Sequence, residues 1–127
     1  GDYVYEFPAG LVEPGEAMTD AAVREFHEET GLHLQVIPAD DMYTKPRFTT
    51  VGMTDEACGM VYGYASGVPD NRFEESSEDI QVVLADKKEV RRILKEENVA
   101  MMCAYMLLHF LKSEGDPLGF VEMQEKR

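Results

Sequence analysis

Residues 10–32 limit the possible folds of this chain more than any other stretch. Pro14-Gly15 is a turn pair, residues 18–30 carry helical periodicity, and Gly31 stands where a helix needs a left-handed residue to stop. Thr19 is the expected N-cap, with Asp20 suited to the first turn. On a helical projection with Glu25 at zero, Glu29 falls at roughly +40° and Glu28 at roughly −60°. Three carboxylates therefore share one face. Val23 and Phe26 project elsewhere and can enter a core, with Ala22 on the border. A chain holding this unit must pack one side of the helix and keep the acidic side open.

The rest of the chain supplies partners for the packed side. Residues 2–7 alternate Tyr3, Tyr5 and Phe7 against Val4 and Glu6, which is strand periodicity. Residues 32–37 read as a strand ended by Pro38. Residues 42–49 read as a strand or extended segment, at an edge because of Pro46. Residues 57–66 and 80–84 read as further strands. Residues 87–97 form an amphipathic helix with Val90, Ile93 and Leu94 inward. Residues 99–112 form a helix apolar nearly all round, which predicts burial in the core or against another subunit. Residues 116–127 read as a polar, mobile tail. The order predicts one domain over residues 1–127, of the α/β (α+β) class, with a mixed β-sheet between helices.

Charge narrows the partners. Twelve basic residues against 25 acidic ones leave a net charge of −13. That opposes nucleic-acid binding and attachment to an anionic membrane, both of which need a basic surface. A phosphorylated ligand remains compatible if divalent cations sit between it and the carboxylates. Cys58 and Cys103 are far apart, lack CxxC spacing and sit among apolar residues, so they read as buried thiols. This suits a reducing, cytoplasmic setting. No apolar run reaches transmembrane length.

Clustered carboxylates repel one another unless cations neutralise them. Grouped hard oxygen ligands suit Mg²⁺ or Mn²⁺, which shares its shell with water and phosphates. Arg24 precedes Glu25 and lies four residues before Glu28, so its planar fork can fix a carboxylate. Over Arg24 to Glu29 alone, an ordinary helix with a charged solvent face would look the same. The wider spacing decides the matter: Gly10, five residues, Glu16, seven residues, then Arg24-Glu25-Phe26-His27-Glu28-Glu29-Thr30-Gly31-Leu32. Seven fixed residue types at such spacing arise by chance roughly once in 10⁸ windows at average composition.

This pattern resembles the Nudix box, position by position. The resemblance implies an α/β/α sandwich, a Mg²⁺ or Mn²⁺ cofactor, and hydrolysis of a nucleoside diphosphate linked to a second group. It implies Glu25, Glu28 and Glu29 as metal ligands, with the carbonyl of Ala9, and Arg24 as the residue orienting the acidic cluster. Glu16 would have a supporting role, and Gly10 would let the backbone turn tightly. The run from Glu6 to Glu16 is similar to that of ADP-ribose pyrophosphatases. In them a segment like Glu78-Asp79-Ile80-Gln81-Val82 feeds a further Glu into the metal site, so Glu78 is the expected ligand or catalytic carboxylate, with Glu74 and Glu75 as fallbacks. The Ser-Pro-Gly usual there is absent from residues 50–56, where Glu56 is expected to begin a strand. Only nine residues precede Gly10, so the leading strands of the family are expected to be missing and a homodimer is favoured. Two other functions share the box: a Nudix-fold binding module without turnover, and a housecleaning nucleoside triphosphate pyrophosphatase.

Overall fold

The computed structural model describes residues 3–52, 57–70 and 81–122. Their order is β1 (Val4–Tyr5), α1 (Met18–Thr30), β2 (His33–Val36), α2 (Asp41–Thr44), β3 (Arg47–Phe48), β4 (Ala57–Cys58), β5 (Gly63–Ser66), α3 (Lys87–Glu96), β6 (Asn98–Val99) and α4 (Met101–Lys112), followed by a 3₁₀ turn at Gly119–Val121. This is an α+β domain. Among the described residues, the strands form three two-stranded ladders. β1 runs parallel to β6, while β2 with β5 and β3 with β4 are antiparallel.

Helix α1 spans the residues that the periodicity marks. It stops where the sequence says it should, because Gly31 adopts φ 75° and its N–H returns to the His27 carbonyl. Three further bonds close this end. The Thr30 hydroxyl donates to the Phe26 carbonyl at 2.6 Å, the Leu32 N–H donates to that hydroxyl at 3.0 Å, and the Asp70 N–H donates to the Thr30 carbonyl at 2.6 Å. Thr30 can be 96% buried because its polar atoms are used. The start differs from expectation. Ala17, not Thr19, is the N-cap, and no side chain caps it. The preceding loop holds this end instead: Glu16 N–H donates to the Glu13 carbonyl, and Glu13 N–H donates back to the Glu16 carboxylate.

Immediately after Gly31 the chain enters β2, whose register with β5 runs from His33 opposite Ser66 to Val36 opposite Gly63. The pairing continues through Ile37 N–H to the Tyr62 carbonyl. Residues 42–49 are not one extended segment. The Asp40 side chain accepts from Met42 N–H and caps a single helical turn, α2. Pro46 then forces Lys45 out of helical geometry, and β3 follows. The predicted strand over residues 57–66 is broken between β4 and β5. There Gly59 passes so close to α1 that a Cβ would lie 2.6 Å from the Met18 sulfur. Residues 81–84 form no strand, and Val83 and Leu84 are exposed.

The Asp86 side chain caps α3, which buries Val90 and Ile93 against α4. Val99 belongs to β6 rather than α4, because it pairs with Tyr5. Within α4, Cys103 is buried, yet Met101, Tyr105 and Leu108 are exposed, so the helix is not enclosed all round. Cys58 is only half-buried, and neither Cys58 nor Cys103 forms a disulfide. Burial raises the Cys103 thiol to about 11, so it is inert at neutral pH. Residues 116–122 pack onto the domain: Val121 is fully buried, its carbonyl accepts from Asp40 N–H, and Asp116 accepts from the Tyr64 hydroxyl. No helix among the described residues is long and apolar enough to cross a membrane.

Gly31 has two reasons to lack a side chain. Its φ is left-handed, and a Cβ would lie 2.6 Å from Asp70 Cβ and 2.9 Å from Asp70 backbone atoms. Gly15 shares the left-handed φ, at 78°, but has nothing nearby. Gly15→Ala should therefore cost about 1–2 kcal/mol from backbone strain alone, and Gly31→Ala should cost clearly more. Urea unfolding of both variants checks this, and equal losses would remove Asp70 from the account.

Candidate active site

The acidic face of α1 is organised by one cation. Arg24 Nε and Nη2 donate to the two carboxylate oxygens of Glu16, each at 2.9 Å, a bidentate pair. Nη1 donates to Glu25 Oε1 at 2.9 Å and to Glu28 Oε2 at 3.4 Å. Nη2 also donates to the Leu11 carbonyl at 3.1 Å, and Glu13 lies 4.0 Å away. One guanidinium thus ties the loop at Leu11, the turn at Glu16 and two helix carboxylates together. The spacing predicts this in part, since an arginine at i reaches a glutamate at i+4. It gives no sign of the Leu11 contact.

The loop reaches the same face from the other side. Ala9 N–H donates to Glu29 Oε2 at 3.2 Å. Gly10 lies against Glu25, so a Cβ there would coincide with the carboxylate group of that side chain. The role of Gly10 is therefore not the one expected of it. It is absent from the positive-φ glycines, and its backbone needs no special freedom. What the position requires is the empty space that Glu25 fills. That requirement is invisible in the sequence except as the fixed glycine.

These contacts set the charges of the hub. Arg24 and the backbone N–H of Glu13 hold the Glu16 carboxyl down at about 2, against 4.5 for an unperturbed glutamate. Glu16 in turn, followed by Glu25, raises Arg24 above its ordinary value, so it stays charged at every accessible pH. Glu16 is thus bound through both oxygens to Arg24, whereas Glu25 and Glu28 each accept from Arg24 through one oxygen and Glu29 accepts from Ala9 N–H. Their donor chemistry, hard anionic oxygen beside the Ala9-Gly10 backbone, suits Mg²⁺ or Mn²⁺. Among the described residues no group of three or more His, Cys, Asp or Glu side chains is brought together closely enough to hold a metal ion by itself. An ion there would complete its shell with water and ligand phosphates, which is the usual habit of Mg²⁺. Glu56, Glu74, Glu75 and Glu78 lie outside the described residues. Asp70, which precedes residues 71–80, is bonded to the C-terminal end of α1.

Comparison with known proteins identifies the family. The NUDIX domain family profile matches residues 1–103. The chain belongs to that family. It is 35% identical over 92 residues to "Putative nudix hydrolase 2" of Caenorhabditis elegans, a match covering 68% of this chain and 40% of the relative. Over 45 residues it is 40% identical to "Putative 8-oxo-dGTP diphosphatase" of Bacillus subtilis (strain 168), covering 35% of this chain and 30% of the relative. The chain thus spans well under half the length of either relative. No solved structure matches it.

The Glu16–Arg24 pair has a pH signature. A carboxyl lowered from 4.5 to about 2 stabilises the fold fully above the unfolded value and loses that contribution as pH falls through the folded one. Glu16→Gln should therefore be less stable than the native protein at neutral pH. The gap should narrow below pH 4.5 and close near pH 2. Thermal unfolding across that range measures it, and a gap that stays constant would refute the assignment.

Proposed function

We propose that this protein is a Mg²⁺-dependent hydrolase of a nucleoside diphosphate linked to another group, with ADP-ribose or a nucleotide sugar as the substrate. The observation that carries the reading is the Arg24 hub, which fixes Glu25 and Glu28 on one helix face while Ala9 N–H fixes Glu29 beside them. The ADP-ribose or nucleotide-sugar preference draws its support from the run between Glu6 and Glu16.

In this reading Glu25, Glu28, Glu29 and the Ala9 carbonyl hold the metal, joined by Glu78, and Mn²⁺ can replace Mg²⁺. The bound ion would neutralise diphosphate charge and favour ionisation of the attacking water. Arg24 keeps Glu25 and Glu28 from turning away, which is preorganisation rather than chemistry. Water oxygen bonds to one phosphorus, and the bond from that phosphorus to the bridging oxygen breaks. The bridging oxygen leaves with the other phosphate. A carboxylate of the group, among Glu25, Glu28 and Glu78, takes the proton from water. The products are a nucleoside monophosphate and a phosphorylated second group. We place the activity in a single domain spanning residues 1–127, in the cytoplasm, with no nucleic-acid or membrane partner. A homodimer fits the exposed apolar face of α4, formed by Met101, Tyr105 and Leu108.

A second reading has one specific observation behind it. The Bacillus subtilis relative bears the name of an 8-oxo-dGTP diphosphatase, although its match covers only 35% of this chain. Housecleaning of an oxidised nucleoside triphosphate would use the same carboxylates on a different substrate.

The test is a substrate panel of ADP-ribose, UDP-glucose and 8-oxo-dGTP with and without Mg²⁺. We expect Mg²⁺-dependent release of nucleoside monophosphate, fastest from ADP-ribose or UDP-glucose. Glu25→Gln should lower kcat by about 10²–10³-fold, the scale of losing one charge-stabilising group. Metal-independent turnover, or full activity in the variant, would reject the mechanism. Gly10→Ala should lower kcat by about 10²-fold through displacement of Glu25. Its unfolding midpoint should barely change, since only the flexible end of Glu25 must move. A stable Gly10→Ala protein with unchanged kcat would show that Glu25 need not stand where it does.

A further inference from the structure

A pocket of about 410 Å³ opens at the other end of α1, a volume within the range of small-molecule sites. Its floor is the continuation of the β2–β5 ladder, at Val36, Ile37, Val61 and Tyr62, and its walls are the first turn of α1 and Thr44. Among the described residues no charged side chain lines it. The Tyr62 hydroxyl is already spent on the Tyr43 carbonyl at 2.9 Å and the Met106 sulfur at 3.2 Å. The surface offered to a ligand is mainly apolar, with Met18 and Met60 on it and Thr19 and Thr44 beside them.

The pocket is aligned with the carboxylates. On the projection of α1, Met18 falls at roughly +20°, between Glu25 at zero and Glu29 at roughly +40°. All three lie on one stripe. Along the axis Met18 is about 10 Å from Glu25 and about 16 Å from Glu29. Both ends of the stripe are admitted by a glycine, Gly10 facing Glu25 and Gly59 facing the Met18 sulfur. A ligand with its phosphates over the carboxylates would extend along this stripe by about the length of a nucleoside, and so reach the pocket.

We infer that this pocket, between the first turn of α1 and the β2–β5 ladder, receives the nucleobase of the substrate and holds it by its flat faces, with Met18 and Met60 as the contact surface. The inference rests on the proposed nucleotide hydrolase function and names where the nucleoside half binds. Polarisable thioethers gain from contact with an aromatic ring without requiring hydrogen-bond geometry. The electrostatic grip stays at the diphosphate end.

Methionine-methyl NMR tests the placement without turnover. Adenosine 5′-monophosphate should shift the Met18 and Met60 methyl resonances by ring current, and ribose 5-phosphate, which has no base, should leave them in place. Methyl signals of Met18 and Met60 that stay fixed at saturating adenosine 5′-monophosphate overturn the inference, as does an equal response to ribose 5-phosphate. Ala39 also lines the pocket, so Ala39→Leu fills it. That variant should raise KM for the nucleotide substrate by about tenfold or more, with kcat retained. An unchanged KM would overturn the inference. If Ala39→Leu does not fold, the methyl response of the native protein decides alone. Turnover with silent methyls rejects this pocket but keeps the hydrolase. Responsive methyls without metal-dependent turnover reject the hydrolase and leave a base-binding pocket.

Discussion

The Arg24 guanidinium ties the loop before α1 to the helix itself. Residues 10–16 have no secondary structure beyond a turn, and α1 has no capping side chain at its start. What joins them is a set of donors on one planar group, reaching Glu16, Leu11, Glu25 and Glu28. The arginine is itself only partly covered, with 28% of its side chain exposed. At that exposure water screens part of each ion pair, so the stability the hub adds is modest. Its further value is directional. A fork of rigid geometry fixes where oxygens sit, which a lysine at the same position could not do.

Much of this was legible in the sequence, and the reason differs by element. Helix α1 carried three concordant signals: periodicity, a preceding turn pair and a terminal glycine. Its stop at Gly31 is the one expected, but its two sides did not separate as projected: Val23 is exposed, Phe26 is only half-buried, and Ala21, which projects between Glu25 and Glu28, is buried. The segment from Asp40 to Phe48 misled because a local side-chain cap and a proline override an extended pattern within a few residues. Helix α4 is a different case, because its sequence left open burial in the core or against another subunit. Composition reports that a surface is apolar, not whether anything covers it, and Met101, Tyr105 and Leu108 are uncovered here.

The site was legible as residue types and spacing, but not as contacts. Arg24 lies within reach of Glu28 on any helix, whereas its bond to Leu11 depends on how the loop folds back. Gly10 shows the difference most clearly. A fixed glycine usually points to backbone freedom, yet here it marks a volume reserved for a neighbouring side chain. Glu78 stands outside the described residues, so its part rests on the resemblance alone.

The contact between Gly31 and Asp70 has a consequence for how the sequence can vary. The helix terminus uses the backbone of Asp70 as its last hydrogen-bond donor, and the missing Cβ of Gly31 is the space Asp70 occupies. The β2–β5 register then fixes the number of residues between Ser66 and that donor. Insertions or deletions in the turn at residues 67–70 would unseat the end of α1, and with it the orientation of Glu28 and Glu29 one turn earlier. Length variation between relatives should accordingly be excluded from this short turn and concentrate where no element depends on an exact count.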